Sequence, residues 1–554
     1  MFVNSSQRHW AAFAATSRAL LALALVLTAL ANLTTALVAH PWTQAVFVET
    51  VVDLDLLAWG RDGAVIVAVL LLLVGRAIAR GKRHAWLLTV ALLTASLLSA
   101  HTAHHHPLYL LIEAAALVAL VVLAPLFPAR SDPRALLRGY AAITLSLASF
   151  VGLQVVQRVW DPDLGPFAGA SRHVVMALLR GSLFLFLTYG MVEVLKPVIR
   201  VRRRLREERD RALEVICRYA TRTTAHFALA PEINYFWSAG GHALMPYRLV
   251  RGVALVLGDP IGPEHEQQAL LTAFLAYCHR QDWITAAYLA GPAFRQRCVR
   301  AGLYAYKIGE EAVVETSRFT IAGKAGAPVR HAMSRSKRDG ITVSLWHGEP
   351  IPAVLFDGMK RVSQGWLAKH RSAPQMGFSM GRFPADWTPD VLTAIACDAE
   401  GRVRAFQTWT PLYAGNGWSL DVMRRTDDTP PGTMELLIAE AIAWARERGG
   451  ERMALGLAPL AGLQSEDDAS VSDARAERLT RLERGAGFLY RRRLLLGDYA
   501  SLYAFKDKFH PVWLARYLVV SDRAALPQTF SALMYAQGYR WWRLMSEATA
   551  VFRR

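Results

Sequence analysis

Hydrophobic positions divide the chain into two unlike parts. Six stretches near the N-terminus are continuously apolar and close to the ~20 residues that a membrane-crossing helix needs. They cover residues 16–39, 62–80, 84–103, 108–127, 138–158 and 174–196. The first run is too long for a signal-peptide core, so we expect it to stay in the membrane. The pattern predicts an α-helical membrane domain of about six spans over residues 1–199.

The segments between these runs alternate in charge. Arginine and lysine cluster before the first run, between the second and third, between the fourth and fifth, and after the sixth, whereas the intervening segments are acidic or histidine-rich. Basic loops remain on the cytoplasmic side of a membrane. The alternation therefore predicts a multi-pass protein whose second half is cytoplasmic. Residues 200–212 predict a basic juxtamembrane helix that lies against anionic lipid.

The remainder of the chain has a different pattern, in which short β-like runs alternate with helical ones. The pattern predicts an α/β or α+β fold, and about 310 residues are enough for two domains. Turn residues in Gly348–Asp390 indicate where the two could join. The predicted helices are Glu264–His279, Ala353–Ala368 and Met434–Arg448, and the predicted strands are Val253–Leu257, Ile284–Leu289, Tyr304–Ile308, Ile341–Leu345, Leu392–Cys397, Val403–Thr408 and Met453–Leu457.

Composition narrows the classes of function. Hydrophobic residues make up 53% of the chain and charged residues 19%, which disfavours a disordered or a wholly soluble protein. The formal net charge of +18 favours polyanionic partners, either nucleic acid or anionic lipid. The four cysteines have no zinc-ligand or CxxC spacing, so we expect neither a metal site nor a disulfide scaffold.

Common catalytic motifs are missing from the sequence. It has no phosphate-binding GxxxxGK[ST] loop, no HExxH, no GxSxG and no GxGxxG after a strand. It also lacks the [RQ]xxGx[GA] loop that grips the coenzyme A pyrophosphate in ordinary acetyltransferases. An acyl donor other than acyl-CoA is expected, and no cofactor is predicted.

Dense polar clusters carry the remaining signal, and their order resembles a known family. The clusters in order are GDPIGP, KIGEEAVVE, SRSKRDG, GFSMGRF, SLDVMRR, PPGTMELL and KFHPVW. Over roughly residues 213–525 these seven motifs resemble the catalytic domain of the phosphatidylglycerol lysyltransferase family, the MprF-type aminoacyl-phosphatidylglycerol synthases. Seven ordered motifs are far more specific than any one of them.

The resemblance implies a fold and a reaction. Family members are bacterial inner-membrane proteins with a cytoplasmic tandem of two acetyltransferase-like (GNAT) folds, here expected over 213–370 and 371–525. They move an amino acid from aminoacyl-tRNA to the glycerol hydroxyl of phosphatidylglycerol, which lowers the negative charge of the membrane and confers resistance to cationic antimicrobial peptides. We expect lysyl transfer, with alanyl or another residue as alternatives, and a possible homo-oligomer. Six spans match a short form without the flippase spans.

The resemblance also implies a central catalytic pair, Asp421 and Arg424, carried over from the family's DxMR motif. Asp421 would bind the aminoacyl ammonium or deprotonate the lipid hydroxyl, and Arg424 would grip a phosphate of the lipid or of the tRNA end. The alternative is an ion pair that braces a turn.

Two further residues complete the predicted catalytic set. Glu435 would select a cationic side chain or act as the base, or would merely complement a helix dipole. Lys506 would stabilise the developing oxyanion or bind phosphate, together with Lys508, or both would belong to a solvated charge run.

The other candidates are substrate-binding. A predicted basic helix would meet tRNA phosphate or the membrane surface, or would be a solvated face. Arg382 would contact lipid phosphate or brace a glycine-rich loop, and Glu311 would line a substrate channel or lie at an ordinary strand edge. The full predicted set is Arg330, Arg335, Arg338, Arg382, Arg425, Lys508 and Glu311.

The C-terminal segment 526–554 is predicted to be amphipathic. Trp541 and Trp542 are flanked by arginines, which is typical of an interfacial membrane anchor; packing on the catalytic domain is the alternative.

Two other functions remain open at this stage. One is a transferase of the same fold with a different donor or a cell-wall acceptor. The other is a lipid transporter whose cytoplasmic half is regulatory, against which stands the scarcity of charges within the apolar runs.

Overall fold

The computed structural model describes residues 13, 16–26, 30, 72–100, 117–118, 120–159, 168–198, 206–369, 377–462 and 499–539. The chain divides into two compact units. The first comprises Met1–Arg200 with Tyr277–Trp283, and the second comprises Val201–Ala276 with Ile284–Arg554.

Helices make up the first unit where it is described. They are α1 (Arg83–Ala100), α2 (Pro133–Val159) and α3 (Ala168–Val194). Glycines let α2 and α3 approach closely, because a Cβ on Gly139 would lie 2.9 Å from the Gly190 carbonyl oxygen. Ser146 Oγ also donates to the Leu183 carbonyl oxygen at 3.0 Å. These contacts join the two helices along their length.

The prediction of a six-span membrane domain is wrong for the described residues, where no helix is long and apolar enough to cross a membrane. The predicted runs 138–158 and 174–196 fall on α2 and α3, and the other four lie partly or wholly outside the described residues. A spanning helix needs an uninterrupted apolar length of about 20 residues, and the apolar pattern of the sequence did not by itself establish helices of that length.

The second unit combines one large sheet with eight helices in its described part. The helices are α4 (Arg206–Tyr219), α5 (Glu264–Arg280), α6 (Pro292–Arg300), α7 (Ala327–Arg338), α8 (Ala353–Lys369), α9 (Thr433–Glu447), α10 (Tyr499–Asp507) and α11 (Leu526–Ala536). The strands are β1 (Asn234–Trp237), β2 (Leu244–Val250), β3 (Val253–Leu257), β4 (Ile284–Ala290), β5 (Tyr304–Glu315), β6 (Thr342–Trp346), β7 (Leu392–Cys397), β8 (Val403–Pro411), β9 (Gly417–Arg425), β10 (Arg452–Pro459) and β11 (Val512–Val520).

All eleven strands form one mixed sheet in the order β1-β2-β3-β4-β11-β5-β10-β9-β8-β7-β6. The two halves of the sheet share one arrangement, in which antiparallel strands, β1–β3 in the first half and β6–β9 in the second, lead through a helix to a parallel strand. The parallel pairs are β3–β4 and β9–β10, and β5 and β11 lie between them as an antiparallel centre. The expected α/β sheet is therefore present, and it runs without a break through both predicted domains.

Helices cover both faces of the β6–β10 half. Alternate residues of a strand point to opposite faces. Ile395 and Phe406 pack with α8 residues, whereas their neighbours Ala394 and Ala405 pack with α9 residues.

Several boundaries differ from the predictions. Strand β11 begins within the KFHPVW motif, outside the predicted strands, and β5 extends to Glu315, beyond its predicted end at Ile308. Helix α4 begins at Arg206, and residues 200–205 of the predicted juxtamembrane helix lie outside the described residues. The proposed domain boundary at 370/371 and the anchor residues Trp541 and Trp542 also lie outside them.

Candidate active site

A cavity of about 420 Å³ opens on the face of β8 and β9. Its walls come from α4, from the 3-10 helix His226–Leu229 and from the loop between Phe378 and Val391. Ionisable side chains of both signs line it. They are Arg209, His226, Glu232, Arg382, Asp386, Asp390 and Asp421. Such a concave site with convergent polar groups is typical of a substrate pocket.

A β-bulge places Asp421 at the floor of this cavity. Gln407 pairs with Met423 and Trp409 pairs with Leu420, so Asp421 and Val422 together face Thr408. Both residues line the cavity, and the Val422 N–H donates to Thr408 Oγ1 at 3.0 Å. The extra residue re-aims a polar side chain that regular alternation would have placed differently.

The surroundings of Asp421 favour its neutral form. The carboxylate accepts a hydrogen bond from the Gly381 N–H at 2.7 Å, and Thr408 and the charge of Arg424 also stabilise the anion. Burial outweighs these effects and raises the pKa of Asp421 to about 7. A carboxyl group that titrates near neutral pH is suited to general base catalysis.

Gly381 has no room for a side chain, because a Cβ there would lie 2.3 Å from Asp421 Oδ2. Replacing Gly381 by alanine is expected to displace the carboxylate and to lower turnover by about 10-fold or more, since small misplacements of reacting groups are costly. Initial rates of the transfer reaction measure this loss. Gly365→Ala is the control, as a Cβ on Gly365 meets nothing within 4 Å. Equal rates for the two variants would show that the position of Asp421 does not matter.

Arg424 lies away from the cavity. Its guanidinium is buried, donates to Ser363 Oγ on α8 and lies 5.5 Å from the Trp366 ring centroid. No hydrogen bond or ion pair joins Arg424 to Asp421 in the described part of the chain. The predicted pair is therefore coupled only through space, and burial lowers the pKa of Arg424.

Lys506 lies where the two parallel strands separate. The β9–β10 ladder ends at Ser419 and Ala454, although both strands continue. The buried Lys506 ammonium donates to the Leu457 carbonyl oxygen at 2.8 Å. A Cβ on Gly456 would lie 3.7 Å from Lys506 Nζ and 4.0 Å from the carbonyl oxygen of Leu420, the residue before Asp421. Burial lowers the pKa of Lys506 to about 8, although the negative charge of Glu311 acts to raise it.

Glu311 belongs to the same central part of the sheet. Its Oε1 accepts from Thr223 Oγ1 at 2.5 Å, and its Oε2 accepts from the Arg516 Nε at 3.0 Å. Both Glu311 and Arg516 are 4% exposed. Glu311 is thus a fully bonded buried carboxylate and not a strand-edge residue.

Glu435 and Lys508 form a separate ion pair. Lys508 Nζ lies 2.9 Å from Glu435 Oε1, at the first turn of α9. Neither residue lines the cavity.

The basic candidates are distributed over other surfaces. Arg330 donates to the Ile321 and Gly323 carbonyl oxygens and so stabilises a loop. Arg335, Arg338 and Arg425 are exposed. Arg382 reaches the cavity, where its Nε lies 2.8 Å from Asp386 Oδ2, and this bond raises the pKa of the guanidinium. No group of three metal-ligating side chains is placed to hold an ion among the described residues.

Comparison with known proteins identifies the second unit. Residues 214–520 match the family model described as phosphatidylglycerol lysyltransferase, C-terminal. The chain belongs to this family. The predicted family is confirmed by this match. The predicted enzyme class, an aminoacyltransferase, is confirmed as the class to which the family model refers.

Curated relatives agree over the same region. A phosphatidylglycerol lysyltransferase of Bacillus subtilis is 28% identical over 305 residues, which cover 55% of this chain and 34% of the relative. A lysylphosphatidylglycerol biosynthesis bifunctional protein LysX of Mycobacterium avium is 31% identical over 319 residues, covering 57% and 26%. The chain therefore spans between a quarter and about a third of these relatives' length.

One solved structure has the same architecture. The C-terminal domain of a putative lysylphosphatidylglycerol synthetase from Agrobacterium fabrum is 27% identical with a TM-score of 0.50, and the match covers 60% of this chain and 98% of that chain. The large mixed sheet thus belongs to the family's C-terminal part.

Sequence reasoning missed several residues of the site. Arg516 lies within FKDKFHPVWLARY, but we assigned it no role, and Thr223, His226 and Asp386 lay outside the motifs. An arginine among the apolar residues of a buried strand was the available signal for Arg516.

Proposed function

We propose that the protein transfers a lysyl group from lysyl-tRNA to the glycerol hydroxyl of phosphatidylglycerol at the cytoplasmic face of a bacterial inner membrane. The observation that carries the proposal is the placement of Asp421 in the cavity and of Lys506 at the adjacent strand separation. Asp421 lines the cavity, whereas Lys506 lies beside Gly456 on β10, next to the Leu420 carbonyl that precedes Asp421. A base and a cation in neighbouring parts of the sheet suit an acyl transfer from an activated ester.

The roles follow from the charges. The Asp421 carboxylate accepts the proton of the lipid hydroxyl as this oxygen attacks the aminoacyl carbonyl carbon. The Lys506 ammonium stabilises the negative charge that develops on the carbonyl oxygen. Collapse of the tetrahedral intermediate breaks the ester bond to the tRNA ribose, and the proton passes to the leaving ribose oxygen.

Carboxylates around the cavity support a cationic acyl group. Arg382 is engaged by Asp386 and Glu232. Asp390 lines the cavity and has no ion-pair partner among the described residues, so it is available to the side-chain ammonium of the lysyl group. An alanyl group has no side-chain ammonium and would not use this charge.

The loops that lead into α5 and α9 support a donor other than acyl-CoA. In many folds a helix N-terminus after such a loop binds phosphate. Here the first loop carries Asp259, which is paired with Arg222 at 3.0 Å, and the second carries Asp427 and Asp428, which are paired with Lys369 and Arg404. Neither loop contains a lysine or arginine of its own that could bind a pyrophosphate. The exposed Arg335 and Arg338 on α7 instead offer cations to an RNA backbone.

The proposal is tested by incubating the full chain with a charged total-tRNA pool, labelled in one amino acid at a time, and vesicles containing phosphatidylglycerol. We expect label from lysine in the chloroform-extractable lipid, abolished by RNase and absent with phosphatidylethanolamine vesicles. Label from another amino acid would correct the donor. No label with any amino acid, from folded protein, would refute the aminoacyl-tRNA reaction.

A further inference from the structure

Three buried charges lie together at the centre of the sheet, and their pairing is uneven. Glu311, Arg516 and Lys506 are each less than 10% exposed. A buried carboxylate between two cations would be expected to bond to both of them. In this structure Arg516 bonds to it and Lys506 does not.

Arg516 forms two hydrogen bonds to one carboxylate oxygen of Glu311. Its Nε and Nη2 both donate to Glu311 Oε2, while Thr223 occupies Oε1. A guanidinium that donates two N–H groups holds a carboxylate in a fixed orientation. Glu311 therefore has no oxygen directed to a third partner.

Lys506 is close to Glu311 but bonds elsewhere. Its ammonium donates to the carbonyl oxygen of Leu457, and Leu457 is the residue directly opposite Glu311 in the β5–β10 register. No carboxylate lies within ion-pair distance of Lys506 in the described part of the chain. The Glu311 charge nevertheless acts on Lys506. Because directly opposite residues of an antiparallel ladder have Cα atoms about 4.5–5.5 Å apart, the bonded ammonium and the Glu311 side chain share one position of the β5–β10 ladder.

The other charged groups around Lys506 are already occupied. Asp507 accepts from Trp513 Nε1 at 3.3 Å, Glu435 is paired with Lys508, and Glu310 is paired with Lys307. Asp421 on β9 accepts from the Gly381 N–H. Among these carboxylates, Glu311 is the one whose negative charge acts on the pKa of Lys506.

We propose that Arg516 is a positioning residue for the transfer reaction: it holds Glu311 away from Lys506, so that the Lys506 ammonium remains available to the acyl group. The inference rests on the proposed function. Without Arg516, Glu311 turns to Lys506 and the resulting ion pair withdraws the ammonium from the substrate and stabilises its protonated form.

Four variants test this inference in the full chain: Arg516→Met, Glu311→Gln, the double variant, and Arg318→Met. Arg318 forms an exposed pair with Glu315 near the end of the same strand and serves as the control. Two quantities are measured against pH: the rate of lysyl transfer, and the side-chain NMR signal of Lys506 in protein labelled with ¹³C-lysine, assigned with Lys506→Arg.

In Arg516→Met we expect kcat to fall by about 10-fold or more with little change in KM. We also expect the alkaline limb of the pH profile and the Lys506 titration to move up by about 1 pH unit or more. In Glu311→Gln both should move down. The double variant is compared with Glu311→Gln. The upward shift between these two should be much smaller than the shift between the wild type and Arg516→Met, because no carboxylate is left to pair with Lys506.

The inference would be overturned if Arg516→Met shifted the Lys506 titration equally in the presence and in the absence of the Glu311 carboxylate. Arg516 would then act on Lys506 only through the repulsion between two positive charges. An unshifted Lys506 titration would overturn it as well. Arg516→Lys keeps a cation without the two-pronged grip and gives a smaller shift of the same sign, so poor folding of Arg516→Met leaves the comparison intact. Absence of transfer in the wild type would refute the proposed function, whereas the NMR titration still tests the pairing.

Discussion

Replacing Asp421 by asparagine is expected to lower lysyl transfer by about 10²- to 10⁴-fold, the usual contribution of a general base. Asparagine has nearly the same shape, and its carbonyl oxygen can still accept the hydrogen bond from the Gly381 N–H, so the cavity should keep its form. Only the ability to take a proton is lost. Single-turnover transfer rates with lysyl-tRNA and phosphatidylglycerol vesicles measure the effect.

The stability of this variant separates chemistry from folding. The pKa of Asp421 is raised to about 7 in the folded state. At neutral and higher pH the folded protein must therefore hold this carboxylate as an anion, which lowers its free energy of unfolding relative to a protein with a neutral group there. Asparagine carries no charge, and we expect the variant to unfold at the same or a higher temperature above about pH 7. Asp357→Asn, an exposed carboxylate on α8, is the control. A variant that is stable and fully active would exclude Asp421 as the base.

Replacing Lys506 by methionine is expected to lower the rate by about 10²- to 10³-fold, as for loss of an oxyanion-stabilising group. Methionine fills most of the volume of the lysine stem, so the packing against β10 is preserved while the ammonium is lost. Lys506→Arg keeps a cation and should retain more activity than Lys506→Met. Initial rates at saturating substrate provide the comparison.

Lys360→Met, an exposed lysine on α8, is the matched control and should be fully active. If Lys506→Met changes KM alone, Lys506 binds substrate in its ground state and does not stabilise the transition state.

The sequence predicted regular elements well where one periodicity dominated. Strands β3 and β7 begin and end at the predicted residues, and helix α8 differs by one residue. Strands β3 and β7 are buried along nearly their whole length and α8 buries one face, so apolar runs, helical periodicity and turn residues identified them. The family resemblance likewise rested on motifs that can be read directly from the chain.

Other features depend on contacts that no local pattern contains. The VWLARYLVV segment of β11 forms a strand because β4 and β5 pair with both of its edges, and Arg516 within it is neutralised by Glu311 from the neighbouring strand. The bulge at Asp421 arises from the pairing of β8 with β9 and has no signal within β9 itself. The three-residue spacing of Asp421 and Arg424 therefore implied a direct pair that the structure does not contain. In the first unit, hydropathy was the only signal, and it led to a six-span prediction that is wrong for the described residues.

The most direct test of the account is the pH dependence of lysyl transfer from lysyl-tRNA to phosphatidylglycerol, measured between about pH 6 and about pH 9 for the wild type and Asp421→Asn. Asp421 acts as the anion and Lys506 as the cation. The wild-type rate should therefore rise through a pH of about 7 and fall through about 8. Asp421→Asn should lose the acidic limb together with most of the rate. An unchanged acidic limb in Asp421→Asn, or no transfer at any pH by folded protein, would contradict the account.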